Sequence, residues 1–326
     1  MTTALASISA VVIGRNEGER LKRCLQSLHG MRTVYVDSGS TDGSPQLARS
    51  RGAELVELDM GEPFTAARAR NAGYRALKGG ANDLRYVQFV DGDCELAAGW
   101  IEAAAAFLDG NPKVGAVCGR RRERFPERSV YNWLCDVEWE GPPGETRFFG
   151  GDVMIRREAF EAVNGYREDM IAGEDPELAV RLRAAGWPAW RLDREMTLHD
   201  AAMTRFSQWW RRAVRAGYSY ALGACLHGKG PEQHFVWEAR RTWIWGFWLP
   251  LVCLAAGLMA SPWGWAAWLI YPLQVARQTL RNTGSLRQRA TLAFFQTLAR
   301  FPEALGQVMF ERDRLLGRQR RLIEYK

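Results

Sequence analysis

Apolar and polar positions follow two rhythms along the first half of the chain. Short runs of β-branched, aliphatic and aromatic residues at 8–13, 33–36, 54–58, 86–90 and 114–118 read as strands. Between them, apolar residues recur at helical spacing: Leu21, Cys24, Leu25 and Leu28 first, then the stretches 45–51, 65–77 and 100–108. Strands alternating with helices in this way predict an α/β fold, a mostly parallel sheet with helices on both faces. From 119 to 150 the pattern weakens, and at 150–157 a strand and turn restart. Residues 173–186 read as a helix, with Asp175-Pro176 as its cap and first turn and Gly186 past its end.

The rhythm changes in the last third. Residues 242–261 carry no charge, hold Pro250 within them and end at Ser261-Pro262; residues 263–276 are a second uncharged stretch. The first is just long enough to cross a bilayer and the second is short for a full crossing. Tryptophans crowd the ends, and Arg240, Arg241 and Arg277 flank the pair. This pattern predicts a membrane hairpin at about 242–276 with both ends in the cytoplasm. Residues 290–310 are amphipathic and suit an interfacial helix. The expected organisation is a catalytic domain over 1–225 and a helical membrane-associated region over 226–326.

Charge sharpens this division. From 277 to 326 stand eleven Lys or Arg against four Asp or Glu, so the whole net charge of +7 lies in that tail. A basic tail suits nucleic acid or an anionic membrane surface, and the preceding uncharged stretches favour the membrane, so no nucleic-acid partner is expected. The six cysteines form no Cys-x-x-Cys pair and have no histidine at zinc spacing, as expected for reduced thiols. The opening residues lack a basic region and read as the approach to a first strand rather than a signal peptide.

The candidate chemistry centres on Asp91-Gly92-Asp93, a turn at the end of the run 86–90. The carboxyl ends of strands are where open α/β sheets bind ligands. Two carboxylates one residue apart suit a hard divalent cation such as Mg²⁺ or Mn²⁺, which in turn holds a diphosphate. The other chemistry-bearing stretches are Asn16-Glu17, the run from Asp37 to Asp42, Arg70-Asn71-Ala72-Gly73, Gly150-Gly151-Asp152 and Glu174-Asp175. Asp42 before Gly43 reads as a turn or cap.

In order and spacing these six motifs resemble glycosyltransferase family 2, over roughly residues 7 to 222. The resemblance implies a GT-A fold, a nucleotide-sugar donor with UDP as the family's commonest nucleotide, a divalent metal, and inversion at the anomeric carbon. Carried over residue by residue, Glu17, Asp37, Arg70, Asn71 and Asp91 would bind the donor, and Asp93, with Asp91, would hold the metal. Asp175 would be the general base, with Glu174 orienting or contacting the acceptor. Gly151 and Asp152 would meet the acceptor or diphosphate. Some metal-dependent relatives place a ligating histidine after the Glu-Asp helix, where this chain has His199; a loop histidine without that role is the other reading.

Gln208-Trp209-Trp210-Arg211-Arg212 partly echoes the Gln-x-x-Arg-Trp element of processive members, but Arg212 stands where the Trp would be. Transfer of a single sugar is therefore expected, with Arg211 and Arg212 as contacts for a diphosphate or a lipid-linked acceptor. The resulting expectation is a membrane-attached enzyme at the cytoplasmic face of the inner (plasma) membrane, acting on a lipid-linked or polysaccharide acceptor. Two rivals are a polyprenyl-phosphate glycosyltransferase and a non-catalytic nucleotide-sugar-binding scaffold. The turn Gly14 to Gly18 lacks the close-packed glycines of a dinucleotide site.

Overall fold

The computed structural model describes residues 7–79, 83–260 and 262–318. The first six residues, Ser261 and the last part of the basic tail, 319–326, lie outside the described residues. The chain forms two compact units, Met1–Thr204 and Arg205–Lys326.

The first unit follows the predicted alternation. Its early elements are β1 (Ile8–Gly14), α1 (Glu19–Ser27), β2 (Arg32–Asp37), α2 (Ser44–Ser50), β3 (Glu54–Glu57), α3 (Ala66–Lys78) and β4 (Tyr86–Asp91). There follow β5 (Cys94–Leu96), α4 (Trp100–Gly110), β6 (Ala116–Glu123), α5 (Val130–Glu138), β7 (Gly144–Thr146), β8 (Val153–Arg156), α6 (Arg157–Ala162), α7 (Glu174–Ala184) and β9 (Ala189–His199). Thr65 starts α3 by accepting a hydrogen bond from the Arg68 N–H at 3.0 Å.

One sheet runs in the order β3-β2-β1-β4-β8-β6-β9-β5, with β7 paired to β9. The half from β3 to β4 is parallel throughout. Beyond β4 the sheet is mixed: β8 is antiparallel to both β4 and β6, β6 is parallel to β9, and β5 and β7 are antiparallel to β9. The expected parallel order therefore describes the first half. The second half departs from it because β8 arrives from the opposite end of the sheet. Val11, Val12, Val34, Val36, Phe89 and Val90 are all buried, as strands covered on both faces must be. Phe89 meets Phe160 and Tyr166 at ring-centroid distances of 5.3 and 5.5 Å. Burial of each such side chain contributes roughly 2 kcal/mol.

The second unit is helical: α8 (Phe206–His227), α9 (Val236–Trp243), α10 (Leu249–Met259), α11 (Ile270–Arg281), α12 (Leu286–Leu298) and α13 (Arg300–Leu315). A π-helical turn, Ile244–Trp248, joins α9 to α10, and a 3₁₀ stretch, Trp263–Leu269, precedes α11. The expected boundary at 225 falls inside α8. That helix is unbroken to His227 and packs along α13, so it belongs wholly to the second unit. The two backbones cross closely: a Cβ on Gly306 would lie 2.0 Å from the Val214 carbonyl oxygen, and one on Gly217 1.9 Å from that of Glu303.

Residues 290–310, expected as one interfacial helix, divide between α12 and α13. Moreover Glu303, Ala304, Gln307 and Phe310 are buried. Glu303 and Gln307 are tied to neighbouring groups. Thr242 Oγ1 donates to Glu303 Oε2 at 2.8 Å, Arg300 Nη1 donates to the same atom at 2.7 Å, and Gln307 Nε2 donates to the Ala239 carbonyl at 3.3 Å. α13 thus packs on its neighbours, and its buried Glu303 and Gln307 are ties to α9.

The continuous helix Val236–Met259, of 24 residues and mean hydropathy 1.6, is long and apolar enough to cross a membrane, and only 17% of its most apolar window is buried. Among the described residues it alone passes that test, so of the two expected hairpin arms only the first has spanning length.

Candidate active site

The strand register gathers the acidic residues. Parallel pairing sets Gly14 beside Asp37 and Ile13 beside Asp91, so the carboxyl ends of β1, β2 and β4 lie in one row. β8 begins next to that row, since Val153 pairs with Phe89, and this brings Gly150–Asp152 to the end of β4. On the far side Cys94 of β5 and Glu123 of β6 both pair with His199, the last residue of β9.

Arg70 is the hub. It is 3% exposed, and three carboxylates converge on it: Asp91 Oδ1 at 2.9 Å, Glu174 Oε1 at 3.0 Å and Asp175 Oδ1 at 3.2 Å. The Tyr166 ring lies against its guanidinium, 5.3 Å from the centroid. Arg121 is a second hub. Its Nη2 is 3.0 Å from Asp91 Oδ2 and 3.0 Å from Cys94 Sγ, and its Nε is 3.1 Å from Asp152 Oδ2. Asp152, almost wholly buried, also accepts from the Asp91 N–H at 3.0 Å and from Thr197 Oγ1 at 2.9 Å. A side chain at Gly151 has no room: its Cβ would fall 2.3 Å from Arg70 Nη2 and 2.7 Å from Asp91 Oδ2.

Asp93 meets His199, with Oδ2 3.2 Å from Nε2. The other ring nitrogen, Nδ1, is 3.5 Å from Glu123 Oε2. Glu123 is itself fixed, accepting from Asn132 Nδ2 at 3.2 Å and from the Ala201 N–H at 3.1 Å. Trp139 packs edge-on to the imidazole at 4.7 Å. Burial and the Arg121 charge hold His199 below its ordinary pKa, which keeps the ring neutral and able to ligate.

Two groups of these atoms lie close enough together to hold a divalent cation. Asp93, Cys94 and His199 offer ligand atoms within 4.8 Å of one another, and so do Asp91, Cys94 and Asp152. The second group already surrounds the Arg121 guanidinium, which fills the role a cation would take there. The first does not, and a carboxylate with a neutral imidazole backed by a carboxylate is a donor set that suits Mn²⁺. Four carboxylates, those of Asp91, Asp152, Glu174 and Asp175, gather around the two guanidiniums of Arg70 and Arg121, and a fifth, Asp93, meets the neutral His199. The surplus negative charge favours a cation.

The remaining expected residues are placed as follows. Asp37 turns inward: its carboxylate accepts from the Gly39 and Ser40 N–H groups at 3.0 and 2.8 Å and from Tyr35 Oη at 3.1 Å. Glu17 pairs with Arg20 at 2.9 Å. Asn71 holds the loop before α7, giving hydrogen bonds to the Tyr166 carbonyl at 2.8 Å and to Glu168 Oε1 at 2.9 Å, and accepting from the Tyr166 N–H at 3.0 Å. Asp42 accepts from the Ser44 N–H at 3.0 Å and is a turn residue as expected.

Asp175 is not a helix cap. Gly173, at φ 79°, takes that position, Glu174 and Asp175 occupy the first two helical positions, and no side chain caps α7. Burial, with Glu174 and Asp91 nearby, outweighs the Arg70 charge and pushes the Asp175 carboxyl up to about 7 from 3.8. Arg211 and Arg212 stand on α8 of the second unit, and Gln208 accepts from the Arg205 N–H at 3.0 Å at the start of that helix.

Sequence reading missed Arg121, Glu123 and Cys94. The one available signal was period 2 along β6, which sets 121 and 123 on the same face.

The family model described as glycosyl transferase family 2 matches residues 9–162, and that of the N-terminal domain of galactosyltransferase matches 137–205. The succinoglycan biosynthesis protein ExoA of Rhizobium meliloti is 30% identical over 189 residues, covering 54% of this chain and 56% of ExoA. The glycosyltransferase AglE of Haloferax volcanii is 23% identical over 202 residues, 57% of this chain and 64% of AglE. The chain thus spans less than two thirds of either relative. The N-acetylglucosaminyl-diphospho-decaprenol L-rhamnosyltransferase of Mycobacterium tuberculosis is 24% identical over 271 residues, 64% of this chain and 88% of that protein.

Among solved structures, the mannosyltransferase PcManGT from Pyrobaculum calidifontis, in complex with GDP-Man and Mn²⁺, superimposes with a TM-score of 0.64 at 23% identity, over 93% of this chain and 87% of that one. That likeness establishes a GT-A-like fold. With the ordered motifs on the ends of β1, β2, β4 and α7, and the family match over residues 9–162, the first unit of the chain carries a glycosyltransferase family 2 domain.

Proposed function

We propose that the protein transfers one sugar, with inversion, from a nucleoside diphosphate sugar to a hydroxyl of a lipid-linked or glycan acceptor. The observation that carries the reading is Asp175: a carboxyl pushed up to about 7, placed by α7 beside the acidic row at the strand ends. A base with a pKa near the working pH combines availability with driving force. Asp175 would take the acceptor hydroxyl proton as that oxygen attacks the anomeric carbon. Arg70 orients the carboxylate, and Glu174 shares the guanidinium and keeps it in place. Arg121 holds Asp91 and Asp152 at the opposite side of the row. Asp93 and His199 would hold Mn²⁺ or Mg²⁺, which when bound neutralises charge gathering on the departing nucleoside diphosphate.

Attachment at the cytoplasmic face of the inner (plasma) membrane is part of the reading. It is supported by the apolar helix Val236–Met259 and its exposed side chains. The names of ExoA and the decaprenol-linked rhamnosyltransferase favour polysaccharide and lipid-linked acceptors. The nucleotide is to be decided between UDP, the family's commonest, and GDP, the one bound by PcManGT.

The test is release of nucleoside diphosphate from a panel of UDP- and GDP-sugars, with membrane extract as acceptor, in Mn²⁺ and in excess EDTA. Acceptor-dependent release that EDTA abolishes is expected. Full turnover in EDTA would remove the metal from the scheme, and no release with any donor would leave a binding scaffold.

A further inference from the structure

The second unit contains a cavity of about 330 Å³ of which the proposed reaction makes no use. Its wall includes Arg241, Arg281, Arg300, Gln274, Gln278 and Trp245. Arg300 is neutralised by Glu303 at 2.7 Å. Among the described residues, neither Arg241 nor Arg281 has a side-chain partner, and Arg241 Nε is buried without a hydrogen bond. Three guanidiniums around one cavity with one carboxylate beside them repel one another and destabilise the empty site. The amide of Gln278, whose oxygen is also buried without a partner, adds a group that can turn its NH₂ inward.

The surroundings identify the anion's source. Arg241 is the last charged residue before the uncharged run, and Trp243, Trp245 and Trp248 follow it. That is the level at which headgroups meet a spanning helix. α11 has two characters. Gln274, Gln278 and Arg281, spaced four and three apart, line the cavity, whereas Leu273 and Leu280 are exposed at 66% and 81%. A ligand with a phosphate head and apolar tails matches both faces, and a free phosphate matches only the first.

We propose that this cavity binds the phosphate or diphosphate head of a membrane lipid, with Arg241 and Arg281 as its principal ligands. The inference rests on the second unit meeting a membrane and is independent of sugar transfer. Guanidinium–phosphate pairs are charge-assisted and often bidentate, so each arginine accounts for about tenfold in affinity.

The experiment uses the full chain in neutral detergent micelles, with native mass spectrometry counting retained phosphatidylglycerol against diacylglycerol, which lacks the phosphate. Wild type should retain one phosphatidylglycerol per chain and no diacylglycerol. Arg241→Gln with Arg281→Gln should reduce retention at least tenfold, and Arg281→Gln alone, at an exposed position that cannot unfold the unit, should reduce it several-fold. Equal retention by wild type and both variants would overturn the site. Inorganic pyrophosphate is the soluble arm: binding that phosphatidylglycerol does not displace would assign the cavity to a free diphosphate and overturn the lipid. Flotation with phosphatidylcholine vesicles is read in parallel. Failure of every form to float would count against membrane attachment itself, whereas flotation of all forms with a difference in retention supports the pocket.

Discussion

Asp175 gives the sharpest residue-scale test. Its carboxyl titrates near 7 in the fold against 3.8 unfolded, so turnover should rise with pH through about 7 as the base ionises. Stability runs the other way. The folded state holds its proton more tightly, so this group's contribution is fully present below about pH 4 and is lost as pH rises through 7. Asp175→Asn should therefore lose at least about 10²-fold in turnover, keep donor binding, and melt higher than wild type at pH 8, by roughly 1–4 kcal/mol, with the gain vanishing toward pH 4. Near wild-type turnover would move the base elsewhere. Glu123 offers a second test, because it touches no substrate in the scheme and meets His199 at the nitrogen that faces away from Asp93. Glu123→Gln should weaken Mn²⁺ binding about 10- to 100-fold, measured by electron paramagnetic resonance titration, and leave metal-free donor binding unchanged. Unchanged Mn²⁺ affinity would reduce Glu123 to a clamp on the 199–201 backbone.

At the scale of elements, what could be read in advance was local. Period 2 and period 3.6 located β1 to β4 and the helices between them, because each such element carries its own buried face. The acidic motifs were visible because they sit in turns that end those strands. Arg121 was not, since its partners Asp91, Cys94 and Asp152 are separated from it by 27 to 31 positions and meet it only through a mixed sheet. Asp-Pro at 175–176 read as a helix start, but Gly173 adopts the left-handed conformation and begins α7 earlier, which turns Asp175 from a cap into a side chain facing Arg70. Residues 290–310 read as interfacial because Arg300 and Glu303 look like a wet face; in the fold the two pair with each other, and Thr242 also donates to Glu303. The close α8–α13 crossing has its own test. Gly306→Ala would place a methyl group 2.0 Å from the Val214 carbonyl, and the helices must part. A loss of roughly 1–3 kcal/mol in the melt of the second unit is expected, against little change in the first unit for Gly110→Ala, where a Cβ meets nothing within 4 Å. An unchanged melt would mean that the crossing relaxes at no cost.

For the whole molecule, the division at Thr204/Arg205 decides how it can be taken apart. High salt should leave the full chain in the membrane fraction and detergent should release it. A chain ending at Thr204 should be soluble and still bind Mn²⁺, whereas one ending at 225 or 241 keeps α8 without α13 and should aggregate. Partition of the full chain into the supernatant without detergent would refute the attachment. The Arg70 knot lies wholly within the first unit. One guanidinium serves both the end of β4 and the start of α7, and the charge on Asp91 is among the causes that raise Asp175. In the proposed scheme the acidity at which Asp175 ionises is therefore set jointly by the groups that share Arg70. Asp91→Asn should slide the acid limb of the rate profile to lower pH although the base itself is untouched. Family members living in acidic and alkaline surroundings could retune their chemistry at this remote carboxylate while keeping the proton acceptor constant.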